Sequence, residues 1–408
     1  MPEPTPLSCR PSWIVVVILP AMALAFGLLC SPAPFAAETP PDKGWVLAGL
    51  GGMLPGLFYW HRFRGLGFVP VAITLSAIAG WWAVVEGWGP LTIGVPSFLL
   101  MFASTRVGLY LVRFHRHPGL LVGVLLGSVA GLIFGEGLDR LFLPGGREGE
   151  PPPSEPWLFA ILTTGLAIAA WARLFRPMFE LAVEPFLWMM YRIRSIGPSQ
   201  GEMPPVGPCL VIANHACWLD PVFLGKVLPR PLTPMMTDRF YDLPVLRWLM
   251  KGVFGTIRVP DKTYKIDAPE IQEAIAALDR GQCVLIFPEG VLRRSEEKPL
   301  RRFGRGVWQI LVARPNTPVF ACWIEGGWGS YTSYFNGKPA QNKRPDFRRP
   351  IGVGVAAPIT MPATTLENHL RTRIALMNHL ADSRKLLGLP ELAAFELPEK
   401  TGEDEEEK

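Results

Sequence analysis

Val211-Ile212-Ala213-Asn214-His215-Ala216-Cys217-Trp218-Leu219-Asp220-Pro221 opens as a short apolar run and ends in a polar turn. The apolar part reads as a buried strand. Asp220-Pro221 reads as the start of a helix, with Asp as cap and Pro at the first helical position. His215 and Asp220 are five residues apart. On one continuous helix they would point about 140° apart, at about 100° per residue. They meet only if a strand-to-helix turn folds back between them. A carboxylate that holds one imidazole nitrogen leaves the other free as a proton acceptor. That is a base with its orienting group and no nucleophile supplied, so a substrate hydroxyl can fill the empty place.

Working outward, Cys283-Val284-Leu285-Ile286-Phe287 is a second buried-strand run, and it empties into Pro288-Glu289-Gly290. Further strands are expected at Pro234–Thr237, Gly255–Val259, Val319–Ile324 and Ile351–Val355. Helices are expected at Pro221–Leu228, Leu243–Val253, Pro269–Leu278, Val307–Ala313 and Thr364–Leu387. Near-continuous apolar strands alternating with helices predict an α/β domain, a mostly parallel sheet with both faces covered. In such sheets ligands sit beyond the carboxyl ends of the strands. His215 and Glu289 both fall just past such ends, which predicts a shared crevice.

The two polar strand ends, N-H-x-x-x-x-D followed by F-P-E-G, resemble the glycerophospholipid acyltransferase family, 1-acylglycerol-3-phosphate acyltransferases among them. The resemblance covers about Met190 to Pro358. It implies transfer of a fatty acyl chain from acyl-CoA or acyl carrier protein to a lipid hydroxyl, with no metal or bound cofactor. His215 is then the general base and Asp220 fixes its tautomer. Phe287, Pro288, Glu289 and Gly290 would help bind the glycerol-phosphate acceptor, Glu289 through a hydroxyl and Gly290 by permitting close backbone approach. Asn214 joins them as a substrate-binding candidate. Backbone N–H groups near Gly290, or at the start of the Pro221 helix, are candidates for the oxyanion. The family's intervening block, roughly G-x-I-x-I-x-R, is met by Gly255-Thr256-Ile257-Arg258-Val259-Pro260-Asp261-Lys262, with Asp261 where the arginine belongs. Arg258 or Lys262 is the candidate replacement. After F-P-E-G the usual Thr-Arg-Ser is replaced by Val291-Leu292-Arg293-Arg294-Ser295. Arg293 and Arg294 are read either as substrate contacts or as a solvated face near anionic lipid. Trp323–Ser330 with Phe347–Pro350 resembles, more loosely, the branch that reacylates lysophosphatidylethanolamine.

Of the 408 residues 49% are hydrophobic and 18% charged, below the usual charged fraction of about 25%, which points to a membrane protein. A formal charge of +5 gives nucleic-acid binding no support. The six cysteines, Cys9, Cys30, Cys209, Cys217, Cys283 and Cys322, show no C-x-x-C or zinc-like spacing. Cys209, Cys283 and Cys322 fall in strands as small hydrophobes, which fits a reducing compartment. Cys217, two residues from His215, is read as a small turn residue, the alternative being an acyl-carrying nucleophile.

The first half reads as a transmembrane domain, 1–174, of about six helices: Trp13–Cys30, Gly44–Trp60, Gly67–Val85, Leu91–Val112, Leu120–Phe134 and Trp157–Leu174. A short Arg-bearing start and Ala36-Ala37 would also suit a signal peptide for the first run. Arg62, Arg64, Arg113, Arg116, Arg173, Arg176, Arg192 and Arg194 fall in every second loop, all on one side of the spans, which places the downstream domain on the cytoplasmic side of a bacterial inner membrane. No span has Asp, Glu, Lys or Arg at its centre, so the half reads as an anchor rather than a pump. Residues 175–207 read as an interfacial helix, Phe175–Arg194, and a linker. Residues 208–390 are the α/β acyltransferase domain and 391–408 an acidic disordered tail. Two other readings remain: a lipid-binding or lysolipid-translocating protein without chemistry, and an acyltransferase for a different small alcohol or aminolipid.

Overall fold

A computed structural model of the chain describes residues 64–86, parts of 95–107, 156–197, 203–260 except 205, and 268–396 except 342. The runs expected to span at Trp13–Cys30, Gly44–Trp60 and Leu120–Phe134 lie outside the described residues, as do Lys262, most of the tail and much of Leu91–Val112. The chain divides into two compact units between Pro185 and Phe186.

In the first unit a 3-10 turn, Arg64–Gly67, leads into α1, Phe68–Glu86. The next described long helix is α2, Pro156–Met190, whose residues from Phe186 on belong to the second unit. Both are long and apolar enough to cross a membrane. Ile78, Trp82, Leu162 and Ile168 are exposed on them, a surface that suits hydrocarbon and not water. The hydroxyls of Ser76 and Thr163 donate to the carbonyls of Ala72 and Phe159, four residues back, so neither is left bare in an apolar setting. Gly80 lets the two helices approach, since a Cβ there would sit 2.7 Å from Phe159. α2 leaves helical geometry at Leu174 (φ −115°, ψ 18°). Pro177, three residues on, lacks an N–H and crowds the carbonyl four residues before it, which kinks the helix at this point.

The second unit is built on a seven-stranded sheet of order β1-β7-β6-β2-β5-β3-β4. The strands are β1 Tyr191–Ile196, β2 Cys209–Ala213, β3 Leu232–Thr237, β4 Ile257–Val259, β5 Cys283–Ile286, β6 Val319–Glu325 and β7 Arg349–Val355. Neighbours run parallel except β6 and β7, which are antiparallel. α3 Asp220–Val227, α4 Pro269–Asp279, α5 Gly306–Ala313 and α6 His369–Lys385 are the longer helices. One face of the sheet packs α4, α5 and α6 through Leu210, Ile212, Ala274, Leu278, Ile310, Trp323, Leu376 and Leu380. The central strands β2 and β5 are buried along their whole length, which explains their uninterrupted apolar reading.

Two expectations need correction. A helix through Arg194 followed by a linker was expected, but α2 ends at Met190 and Tyr191–Ile196 is a strand of the sheet. Tyr191 is buried and Arg192 exposed, the alternation of an edge strand, and its register pairs Tyr191 with Arg349. Helix Leu243–Val253 is instead a four-residue turn, Pro244–Arg247, running into a π-helix, Trp248–Phe254, that ends at left-handed Gly255.

Candidate active site

β2 and β5 are adjacent and parallel, with Ile212 in register with Ile286. Their carboxyl ends therefore release Asn214-His215 and Phe287-Pro288-Glu289-Gly290 side by side. His215 Nδ1 lies 2.9 Å from Asp220 Oδ2, with the carboxyl fully buried and the imidazole a fifth exposed. The same Oδ2 accepts the backbone N–H groups of Ala216 at 2.7 Å and Cys217 at 2.9 Å. The turn expected between His215 and Asp220 is thus wound around the carboxylate. Asp220 does not cap its helix: the N-cap is Leu219, and Asp220 is the first residue of α3 with its side chain turned back. With Nδ1–H donating to the carboxylate, Nε2 keeps its lone pair for a substrate proton. The Phe287 ring stacks on the imidazole at 4.0 Å between centroids and 17° between planes, which fixes the plane of the base.

Glu289 joins the two loops. Its Oε1 accepts the His215 N–H at 2.8 Å and its Oε2 the Arg301 N–H at 2.8 Å. Both oxygens are engaged with backbone, where a hydroxyl of the acceptor was expected. Burial pushes its carboxyl up to about 7, against the two backbone hydrogen bonds that favour the ionised form. The Arg293 N–H returns to His215 O at 2.7 Å, and the Gly304 N–H to Pro288 O at 2.7 Å. Gly290 turns the chain in the left-handed region (φ 69°), which a side chain would strain. Its N–H donates to Phe287 O, and those of Val222 and Phe223 at the start of α3 donate to Leu219 O. These amides, expected as oxyanion donors, already have partners.

The other candidates are dispersed or occupied. Asn214 gives its amide N–H to Ile324 O at 2.9 Å and accepts the Ile324 N–H at 2.7 Å, so it extends the β2–β6 pairing by one rung. Arg258, on edge strand β4, is an exposed partner of Asp242 at 2.6 Å and Asp238 at 3.5 Å. The Arg293 guanidinium donates to Ser295 O and Glu296 O and lies 4.8 Å over the Trp328 ring. Arg294 lies 3.5 Å over the Tyr334 ring. Cys217 is fully buried with Sγ 3.1 Å from Asp220 Oδ1, and burial followed by the Asp220 charge pushes its thiol well up. That is the opposite of an activated nucleophile.

Sequence reasoning picked out both ends of the connection between β6 and β7 but missed where it lies. Its described residues between 326 and 348 fold over the His215 loop through Gly327, Thr332 and Ser333. The Trp218 N–H donates to Thr332 O at 3.2 Å, and Cys217 bridges Ser333. Gly327 is packed so close that a Cβ would lie 3.2 Å from both Ala216 Cβ and Asp220 Oδ1. Arg349 clamps the start of the connection through Gly326 O and Trp328 O. Asp346 accepts from Tyr191 Oη and the Tyr331 N–H, each at 3.0 Å. The glycines at 326, 327 and 329 were its visible signal.

Residues 199–325 match the family model described as Acyltransferase. A lyso-ornithine lipid O-acyltransferase of Pseudomonas aeruginosa is 31% identical over 156 residues, 36% of this chain and 57% of that protein. A 1-acyl-sn-glycerol-3-phosphate acyltransferase of Saccharomyces cerevisiae is 29% identical over 111 residues, 25% of this chain and 34% of that protein. The chain thus spans between about a third and somewhat over half of these relatives' lengths. A crystal structure of the 1-acyl-sn-glycerophosphate (LPA) acyltransferase from Thermotoga maritima aligns with TM-score 0.39 and 17% identity, over 64% of this chain and 90% of that one.

Proposed function

From an acyltransferase-family domain at residues 199–325, we propose that this chain is a membrane-bound O-acyltransferase that moves a fatty acyl chain from a thioester, acyl-CoA or acyl carrier protein, to a hydroxyl of a glycerol-phosphate or lysophospholipid acceptor. The observation that carries the reading is the His215–Asp220 contact at 2.9 Å, held beside the Phe287–Gly290 loop by Glu289. His215 Nε2 takes the acceptor's hydroxyl proton as the oxygen attacks the thioester carbonyl. The C–O bond forms, the carbonyl becomes a tetrahedral oxyanion, and buried Asp220 stabilises the imidazolium. Collapse breaks the C–S bond, and the imidazolium returns its proton to the thiolate. The acyl chain passes directly from the donor's sulfur to the acceptor's oxygen, with no acyl-enzyme between, which agrees with a buried, deactivated Cys217.

The two apolar helices support a membrane location, and the loop charges read above support a cytoplasmic catalytic unit in a bacterial inner membrane. Relatives named for lyso-ornithine lipid and 1-acyl-sn-glycerol-3-phosphate support a lysolipid acceptor. The test is purified full chain with radiolabelled acyl-CoA or acyl carrier protein and a panel of lysolipids. Wild type should acylate at least one, and His215→Ala should lose at least about 100-fold in turnover. Transfer by His215→Ala at the wild-type rate would sink the reading.

A further inference from the structure

Asp346 is a buried carboxylate that the acyl-transfer steps do not use. Its side chain is 6% exposed, in the connection between β6 and β7, just before β7 begins. One oxygen, Oδ2, accepts from two sides: from Tyr191 Oη at 3.0 Å and from the Tyr331 N–H at 3.0 Å. The other, Oδ1, makes a looser contact with Arg349 at 3.5 Å. Tyr191 is itself buried, at the start of β1, with its ring 4.9 Å from that of Phe223 in α3. A carboxylate held out of water is costly unless hydrogen bonds compensate it, and the bonds of this one join β1 to the connection that covers the His215 loop.

From this carboxylate a continuous run of contacts reaches the catalytic base. Tyr331 is followed by Thr332, whose carbonyl accepts the Trp218 N–H at 3.2 Å, and by Ser333, which bridges Cys217. Cys217 and Trp218 belong to the turn whose amides, those of Ala216 and Cys217, close on Asp220 Oδ2 at 2.7 and 2.9 Å. The same oxygen lies 2.9 Å from His215 Nδ1. Glu289 fixes the turn where it begins, through the His215 N–H. Residues 331–333 fix it from outside, and Asp346 ties Tyr331 to Tyr191 of β1. The Tyr191 ring meets Phe223, in the helix that Asp220 opens. Tyr191 and Asp346 thus hold both the connection and the helix between which the turn is wound.

We propose that Asp346, with Tyr191 as its donor, is a positioning residue for the catalytic base. It holds residues 331–333 against the Cys217–Trp218 main chain and so keeps the His215–Asp220 contact in one geometry. This role rests on His215 acting as the base in acyl transfer. Loss of the hold moves the base and not a group that binds substrate, so it should show in kcat and not in KM. The role is also that of an acceptor. Tyr191 Oη and the Tyr331 N–H share Oδ2, so a carboxamide oxygen in the same place would serve both.

The experiment uses the full chain in detergent, as wild type, Asp346→Ala, Asp346→Asn and Tyr191→Phe. Turnover with a lysolipid that wild type accepts is measured beside amide hydrogen exchange of residues 214–220, read by mass spectrometry. Asp346→Ala should lower kcat about ten-fold or more, since an ångström of misplacement can cost about 100-fold, with KM within about two-fold of wild type. Exchange at 214–220 should rise in that variant while exchange of β2 and β5 stays as in wild type. Asp346→Asn should recover most of the turnover and the slow exchange. Tyr191→Phe removes one donor and keeps the carboxylate, so it should fall between wild type and Asp346→Ala, and it decides the matter if Asp346→Ala fails to fold. Wild-type kcat in Asp346→Ala, or in Tyr191→Phe where that variant decides, overturns the proposal. So does an Asp346→Asn variant as slow as Asp346→Ala, or a loss that appears in KM as much as in kcat. If wild type transfers no acyl chain, the acyl-transfer reading falls. Exchange then decides the hold on the turn: a rise confined to 214–220 upholds it, and unchanged exchange there overturns it.

Discussion

Glu289 accepts the backbone N–H of His215 at 2.8 Å, so the acid of one motif holds the main chain of the base in the other. The second oxygen holds Arg301. A carboxylate with both oxygens on backbone amides acts as a brace, and its loss should be felt in geometry before it is felt in substrate binding.

Glu289→Gln tests the brace. A carboxamide accepts on one side only, so either the His215 or the Arg301 amide meets a donor. Stability should fall by about 1–3 kcal/mol and kcat should fall more than KM rises. The pH dependence has a definite sign. Burial pushes the folded carboxyl up to about 7 from its ordinary value of 4.5, so the folded state binds more protons between these values. Its contribution to stability is therefore full below about 4.5 and is lost as pH rises through 7. Urea unfolding at pH 5 and pH 7 should show a decline in wild type that is smaller in Glu289→Gln. A larger decline in the variant would contradict this.

Asp220→Asn should lower kcat by about 100-fold or more with the fold retained. The amide cannot accept from His215, Ala216 and Cys217 at one atom and also stabilise an imidazolium. Circular dichroism and turnover measured on the same preparation separate the two effects. Turnover within two-fold of wild type would show that the carboxylate does not support the base.

Cys217→Ser should keep activity within about three-fold, since a hydroxyl also donates to the neighbouring carboxylate. Trapping an acyl chain on Cys217, or background activity in the serine variant, would instead establish a covalent intermediate.

Gly327→Ala places a methyl 3.2 Å from Asp220 Oδ1 and Ala216 Cβ. The His215 turn has little room to retreat, because the same carboxylate holds its backbone. Overpacking of this kind costs about 1–3 kcal/mol, and kcat should drop several-fold. Unchanged melting and turnover would show that the connection over the loop is loose.

The strands that hold the motifs were readable because burial on both faces leaves β2 and β5 without polar interruption. The His215–Asp220 contact was readable because a five-residue spacing permits it only across a turn. Strand β1 was misread: Tyr191-Arg192-Ile193-Arg194 alternates, but it follows a long apolar helix without a break, and four residues are a weak signal beside thirty-five. The roles of Glu289 and Asn214 were hidden for another reason. Both side chains bond backbone amides or carbonyls brought near by the sheet order, and main-chain groups leave no trace in residue identity.

The strand that opens the sheet pairs with the one that completes it, Tyr191 with Arg349, and the Arg348 N–H donates to Met189 O at the end of α2. During synthesis β1 emerges early, yet its partner emerges after every other strand. The edge therefore waits, unpaired, until translation has nearly finished. Pairings so distant in sequence form slowly, and an open strand edge invites association with other chains. Nascent chains halted before Arg349 should be the ones that aggregate or recruit chaperones, because the stop would leave this edge without the segment that closes it.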